Sequence, residues 1–306
     1  MSEKKLVAIV GPTGSGKTGL ALELAPRLDG EIVCLDSAQV YSGLDIGTAK
    51  PTKAERSMVP HHLFDVIDPE EHMDAAKYVK MADRVLADIS RRKKKPFLVG
   101  GTGLWLRSLV HGLFEAPPID SALRARLDAE LCRSGVDVMH DRLAKVDPVS
   151  AARIGSGDRQ RVLRALEYYY QTGEPISRAQ SRHEFKSKRY ECLTYFLDRP
   201  RDELKERLKE RLESMLRDGW VEEVEKLLAS GVPRDAQAFK AHGYRHIIKV
   251  VNGKLALEEA RELILREHWA YTKRSRTWYK KVAGIRKLVP PLKVDEIFDE
   301  IEAFFN

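Results

Sequence analysis

Near the N-terminus the chain reads Gly11-Pro12-Thr13-Gly14-Ser15-Gly16-Lys17-Thr18, the spacing G-x-x-x-x-G-K-T. Glycines at these positions let the backbone curl so that its N–H groups converge on an anion. Lys17 adds a full charge, and the Thr18 hydroxyl is an oxygen donor suited to Mg²⁺. The expected ligand is a di- or triphosphate, held by Gly11 to Thr18, with Thr18 as the metal-facing residue.

Other residues have types suited to chemistry, each with more than one reading. Asp36 ends an apolar run and could be a general base, a Mg²⁺ ligand or a helix cap. Thr102 sits in the turn Gly100-Gly101-Thr102-Gly103, where it could meet substrate or cap the helix that follows. Arg207 and Arg211 lie one helical turn apart and could clamp a diphosphate, or pair with Glu203, Glu206 and Glu210. The run Tyr271 to Lys281 interleaves aromatic and basic residues, as an RNA-binding stretch or a basic surface face would. Gln160-Arg161-Val162-Leu163-Arg164 carries the same ambiguity. The acid that a nucleotide hydrolase uses for its metal is poorly defined: the run Phe97–Val99 ends in glycines, and Asp65 and Asp68 sit in a weaker run. His61 and His62 read as polar loop packing, and His242, His246 and His268 as lacking acidic partners at metal spacing.

These residues need a scaffold. Apolar runs at Leu6–Val10, Ile32–Leu35 and Phe97–Val99 alternate with helical patterns at Gly19–Ala25, Ala75–Arg91 and Leu104–Leu109. Alternation of this kind predicts an α/β fold with a doubly wound parallel sheet. Ligands then gather at the carboxyl ends of the strands, which puts Asp36 and Thr102 on the rim of the Gly11–Thr18 loop. A short strand is expected within Pro60–Pro69. Beyond the linker 115–120 strand signals cease, and helices are expected near Ser121–Ser134, Val136–Lys145, Pro148–Ile154 and Arg159–Gln171. Tyr190–Leu197 reads as a strand returning to the sheet. Helices follow, first Asp202–Asp218, last a tail over Val294–Phe305. The organisation expected is a phosphate-loop core from 1–114 and 190–306, helical in its C-terminal part, with a helical insertion at 115–189.

With 306 residues, 43% hydrophobic and 32% charged, the chain has an ordinary globular composition. No apolar run approaches the ~20 residues of a membrane span, and Leu6–Val10 is a core strand rather than a signal sequence. Three dispersed cysteines suit a reducing cytoplasm. The net charge of +7 suits a nucleic-acid partner.

Taken together, the motifs resemble the bacterial tRNA dimethylallyltransferases, also called tRNA isopentenyltransferases. The residues that carry the likeness are Gly11–Thr18, Asp36–Thr52 (DSAQVYSGLDIGTAKPT), Pro60–Pro69 (PHHLFDVIDP) and Leu98–Leu106 (LVGGTGLWL). Asp158–Glu167 (DRQRVLRALE), Gly243-Tyr244-Arg245 and Lys273–Lys280 (KRSRTWYK) extend it over almost the whole chain. The resemblance implies transfer of a dimethylallyl group from dimethylallyl diphosphate to N6 of the adenosine 3′ of the anticodon, with Mg²⁺ as cofactor. The loop would then hold the diphosphate leaving group. Asp36 would take the amine proton, Thr102 would hydrogen-bond nearby, and Arg207 or Arg211 would help neutralise diphosphate. Contacts to the tRNA anticodon stem-loop are implied for Asp36, Ser37, Ala38, Gln39, Thr102, Arg124 and Gln160 to Arg164 (including Arg161, Val162 and Leu163). Lys240, Gly243, Tyr244, Arg245, Lys273, Arg274, Arg276, Trp278 and Lys280 complete that set. His242 departs from the small or apolar residue the resemblance leads one to expect. Lacking the zinc finger that eukaryotic members often carry, the chain is expected to be a cytoplasmic monomer that does not engage membranes. A small-molecule kinase, an enzyme that prenylates free AMP, and a non-catalytic RNA-binding protein are the rival readings.

Overall fold

The computed structural model describes residues 4–114, 116–118, 120–183 and 188–306, which form two compact units, Met1–Val110 with Arg189–Asn306, and His111–Lys188. Glu115 and Ile119 of the expected linker lie outside the described residues, as do residues 184–187 of the basic stretch after it.

In the larger unit the first apolar run forms β1 (Lys5–Val10), with Leu6 to Val10 wholly buried. A continuous aliphatic run is what a strand covered on both faces requires. The Gly11–Thr18 loop then enters α1 (Lys17–Arg27) through Gly16, whose φ of 98° is a left-handed conformation that a side chain would oppose. Next come β2 (Gly30–Leu35), α2 (Lys53–Met58), β3 (His61–His62), α3 (Ala75–Arg91), β4 (Lys95–Gly100) and α4 (Gly103–His111). Helix α3 buries Tyr78, Ala82, Leu86 and Ile89, a stripe at helical spacing. Tyr78 stacks on Trp105 of α4 at 4.2 Å and donates to the Cys34 carbonyl of β2 at 2.9 Å. One side chain thus holds the two rim-forming strand–helix units in register.

The smaller unit consists of α5 (Ser121–Ser134), α6 (Val136–Val146), α7 (Pro148–Arg153), α8 (Arg159–Thr172) and α9 (Ile176–His183). Its own core contains Leu127, Leu131, Met139, Leu143, Val162 and Leu166. Asp147 is buried beneath it and accepts from the backbone N–H groups of Ser150 and Ser177 at 2.9 and 3.0 Å. Burial opposes its charge, but those bonds outweigh it and hold its pKa below the usual carboxylate range.

The chain returns to the larger unit as β5 (Glu191–Leu197), α10 (Arg201–Arg217), α11 (Trp220–Ala229), a 3₁₀ turn (Ala238–Lys240), α12 (Tyr244–Val251), α13 (Leu257–Tyr279), β6 (Arg286–Leu288) and α14 (Val294–Phe305). The six strands form one sheet in the order β3-β2-β4-β1-β5-β6, every pairing parallel. The carboxyl ends of β1, β2, β4 and β5 therefore share one rim.

Three elements lie outside the sequence reading. Helices α2 and α9 are short and polar, and the edge strand β6 has only three residues, two of them charged. The strand expected within Pro60–Pro69 shrinks to His61–His62. Leu63 and Asp65 have φ of 63° and 55°, which ends the extended run. Among the described residues, no helix is long and apolar enough to cross a membrane.

Candidate active site

Two adjoining cavities open on this rim, and Thr13, Asp36, Thr48 and Arg211 line both. The first is lined by Gly14, Lys17 and Thr18 on one side and by Ala21, Ile32, Phe64 and Val99 on another. It joins a cationic loop to an apolar wall. The second, about 190 Å³, is walled by Gln237, Lys240, His242, His268 and Tyr271. Asp36 stands where they meet.

The cations in the first cavity, Lys17 and Arg211, and those on its loop, Arg199 and Arg207, bond backbone carbonyls. Lys17 donates to the Pro12 carbonyl at 2.9 Å, Arg199 to Ser15 at 2.7 Å, and Arg207 to Gly14 at 2.9 Å. Arg211 donates to the Thr48 carbonyl at 3.1 Å, and its Nε is buried with no partner among the described residues. None of these bonds cancels a charge, and of the four cations Arg199 alone also pairs with a carboxylate, Glu203, among the described residues. Burial pulls the Lys17 pKa down to about 8, opposed by Asp36 and assisted by Arg211. Burial lowers that of Arg211 as well. Such a site stabilises an incoming anion.

The pairing of Arg207 and Arg211 with Glu203, Glu206 and Glu210 does not occur. Glu203 pairs with Arg199, and Glu206 with Lys209 at 2.8 Å. Arg207 instead secures the loop backbone, while Arg211 reaches into both cavities.

Asp36 accepts from its own loop, Ala38 N–H to Oδ1 at 2.9 Å, and turns rather than a helix follow. The helix-cap reading therefore falls. The Thr102 hydroxyl accepts from Ser37 N–H at 3.0 Å, tying the end of β4 to the loop after β2 instead of capping α4. Gln39 donates to the Thr48 and Ala49 carbonyls at 3.0 and 3.1 Å. Asp65 is held by Lys50 and Arg56, Asp68 closes a turn by accepting from Glu70 N–H, and neither lines these two cavities. His62 pairs with Glu31 at 2.6 Å, and the His61 ring meets the Val59 carbonyl at 2.7 Å while also lining the first cavity.

Residues that sequence reasoning missed hold the loop Ser42–Thr52 over the site. Glu223 on α11 is buried and accepts from the N–H groups of Asp45, Ile46 and Gly47 at 2.8, 2.6 and 3.2 Å, and from the Tyr244 hydroxyl at 2.6 Å. The wholly buried Trp220 packs against Gly47 and Gly243, where any Cβ would collide with its indole. Buried Lys50 bonds the Tyr41 carbonyl at 2.8 Å and Asp45 at 2.6 Å. No local pattern marks Glu223, one acid among several on an amphipathic helix. Arg199 follows β5 and could have been found by the strand-end rule that singled out Asp36.

The residues expected to touch RNA divide. Ser37, Lys240, Arg245, Gln160, Arg161, Lys273, Arg274 and Lys280 are exposed, and Ala38 is half-buried. Val162, Leu163 and Tyr244 are buried, so their side chains pack the protein and cannot meet RNA. Gly243 donates its N–H to Glu267 at 3.0 Å beneath Trp220. Arg124 and Arg164 both reach buried Glu167, at 3.3 and 3.1 Å. Arg276 pairs with Asp198 at 2.6 Å and bonds the Arg199 carbonyl, and Trp278 packs on Gly103. These four have partners within the protein and stay partly exposed.

The histidines have an acidic partner after all. Glu267 on α13 lies 3.2 Å from His242 and 3.5 Å from His246, brought there by packing of α12 on α13. His242 also packs on Tyr271, ring centroids 4.4 Å apart, in the wall of the second cavity. Burial, then the charges of His242 and Arg211, lowers the pKa of His268 to about 4. Among the described residues, no three His, Cys, Asp or Glu side chains form a metal cluster. The first cavity offers Thr18 and Asp36 as oxygen donors, which fits Mg²⁺, an ion that keeps several waters and takes further oxygens from substrate phosphates.

Comparison with known proteins places this geometry in context. The family model described as IPP transferase matches residues 39–282, and that described as isopentenyl transferase matches residues 4–69. A tRNA dimethylallyltransferase of Geobacter sulfurreducens is 43% identical over 305 residues, covering 100% of this chain and 98% of its own. The solved tRNA isopentenylpyrophosphate transferase of Bacillus halodurans is 37% identical with a TM-score of 0.73, over 99% of this chain and 97% of that one. A eukaryotic dimethylallyltransferase solved acting on tRNA is 27% identical with a TM-score of 0.80, over 93% and 73%.

Proposed function

The chain belongs to the IPP transferase family of tRNA dimethylallyltransferases, and from that membership we propose how its rim works. The protein is a tRNA prenyltransferase that uses a dimethylallyl donor. The acceptor is the exocyclic N6 of the adenosine 3′ of the anticodon, and the chain acts as a cytoplasmic monomer.

One observation carries the mechanism: Asp36 and Arg211 border both cavities. The first cavity takes the donor, with diphosphate on the Gly11–Thr18 loop and the five-carbon group against Ala21, Ile32, Phe64 and Val99. The second takes the adenine. A base must leave its stack to enter, which costs a few kcal/mol and least in a single-stranded loop. The adenine N6 attacks C1 of the dimethylallyl group, the C1–O bond breaks, and diphosphate departs with the electron pair. The Asp36 carboxylate takes the proton released from N6. Lys17 and Arg211 stabilise the negative charge that grows on the leaving diphosphate. Apolar walls keep water from the allylic carbon. Thr102 keeps the Asp36 loop in place through Ser37. Thr18, with the diphosphate oxygens, would hold Mg²⁺, which adds positive charge at the leaving group.

Incubation with labelled dimethylallyl diphosphate, Mg²⁺ and unmodified tRNA tests this. Label enters wild-type reactions at that adenosine. It falls about 10²–10⁴-fold with Asp36→Ala while tRNA binding persists. Label in free AMP alone, or full activity in Asp36→Ala, overturns the reading.

A further inference from the structure

Where α10 packs on α13, two cations of α10 approach the indole of Trp269. Arg201 has its guanidinium carbon 5.0 Å from the ring centroid, and Lys205 its ammonium 5.5 Å away. Arg201 and Lys205 are one turn apart on α10, both exposed, and Trp269 is partly buried. Lys273 is one turn beyond Trp269 on the same face of α13 and is also exposed. Several nearby cations are neutralised: Arg199 by Glu203, Lys209 by Glu206, Arg266 by Glu262 and Arg276 by Asp198. Arg201, Lys205 and Lys273 have no carboxylate partner among the described residues. Asp202, the nearest acid in sequence to Arg201, lies about 100° round the helix.

We propose that Arg201, Lys205 and Lys273, arrayed about Trp269, form a phosphate-backbone platform for the tRNA substrate, separate from the catalytic cavities. This rests on the tRNA-prenylating reading and extends its RNA contacts to α10. Long cationic side chains usually lose rotamer freedom when they bind phosphate. Here the indole face already holds two of them, so less entropy remains to be lost. A ring flanked by cations attracts an anion on its outer side, and three unneutralised charges in one patch suit a polyanion with regularly spaced phosphates. The contacts are to backbone, so they add affinity and orientation without reading bases.

The test compares wild type, Arg201→Ala/Lys205→Ala, Trp269→Leu and a control, Lys226→Ala/Lys249→Ala, which removes two exposed cations from α11 and α12. Binding of unmodified tRNA to the full chain is measured without donor between 50 and 200 mM salt. The platform double variant lowers the slope of log K against log salt by about 1.4–1.8, two phosphate contacts' worth. It raises the KM for tRNA roughly five- to tenfold while the KM for dimethylallyl diphosphate holds. Trp269→Leu keeps the slope and weakens binding about two- to threefold, because the charges remain but lose their support. An unchanged slope in the platform variant, or an equal drop in the control, overturns the proposal. So does loss of binding to polyglutamate with tRNA binding intact, which would make the patch a site for acidic polypeptide. Wild type that binds tRNA yet transfers no label instead sinks the prenyltransferase reading and leaves the platform standing.

Discussion

The two compact units are both rich in arginine, yet their arginines have different partners. In the insertion, Arg124 and Arg164 converge on Glu167, a carboxylate with no exposure to solvent. On the rim of the sheet, Arg207 and Arg211, with Lys17, donate to backbone carbonyls. A carboxylate cancels the cation and fixes a helix; a carbonyl aims the cation and leaves its charge available. The first set is neutralised and the second is not, although both look alike as residue types.

The largest effects should come from exchanging the two sets. Arg211→Ala is expected to cut kcat/KM for the donor about 10²–10³-fold, by loss of charge at the leaving group. Its melting temperature should hold or rise, since removing a buried cation ends the cost of desolvating it, which outweighs its attraction to Asp36. Arg124→Ala/Arg164→Ala should do the reverse. Glu167 is left buried and unpaired, at a cost of ~2–4 kcal/mol in the insertion, while donor turnover persists at low temperature. Urea melts and steady-state kinetics on both variants decide the point. A double variant that keeps its stability would erase the distinction.

A second effect is sharper in pH than in size. Lys17 without ligand titrates at about 8, mainly because it is buried. A diphosphate favours the charged form and raises that pKa, so donor binding takes up a proton wherever free Lys17 is neutral. The KM for donor should stay flat below pH 8 and rise about tenfold per pH unit above it, until the pKa of the complex is reached. Removing Arg211 withdraws one of the charges that lower the Lys17 pKa, so the rise should begin at higher pH in Arg211→Ala. A KM flat to pH 9.5 in wild type would show that the carbonyl-bound lysine is not the group that meets the anion.

The smallest effect tests what aims the rim. Glu223 gathers three backbone N–H groups, and the next carbonyl, of Thr48, receives Arg211. Glu223→Gln keeps the shape but weakens those bonds, and should raise the KM for donor about three- to fivefold with tRNA affinity unchanged. Equal changes for both substrates would mark Glu223 as support for the whole unit and not for Arg211.

The sheet and the place of the site were legible because their signals are local. An aliphatic run, a glycine loop and a helix start lie within 25 residues, and the carboxyl-end rule then places Asp36 beside the loop from chain order alone. Helix α3 was legible because its apolar period spans the whole element. The short edge elements β6 and α2 were not, since few residues give no period and their stability comes from what they pack against.

By itself, then, the sequence determined the parallel sheet, the glycine loop after its first strand, the rim position of Asp36 and, through the order of its motifs, the family. Only the tertiary structure decided which cations are free to act. A side chain's charge is encoded at its own position, but its neutralisation depends on partners far along the chain. Glu167 lies 43 residues from Arg124, and Thr48 163 residues from Arg211. The same distance hid Glu223 and gave Arg276 its partner Asp198, 78 residues away. Coulomb energy depends on separation in space and on burial, neither of which residue spacing records.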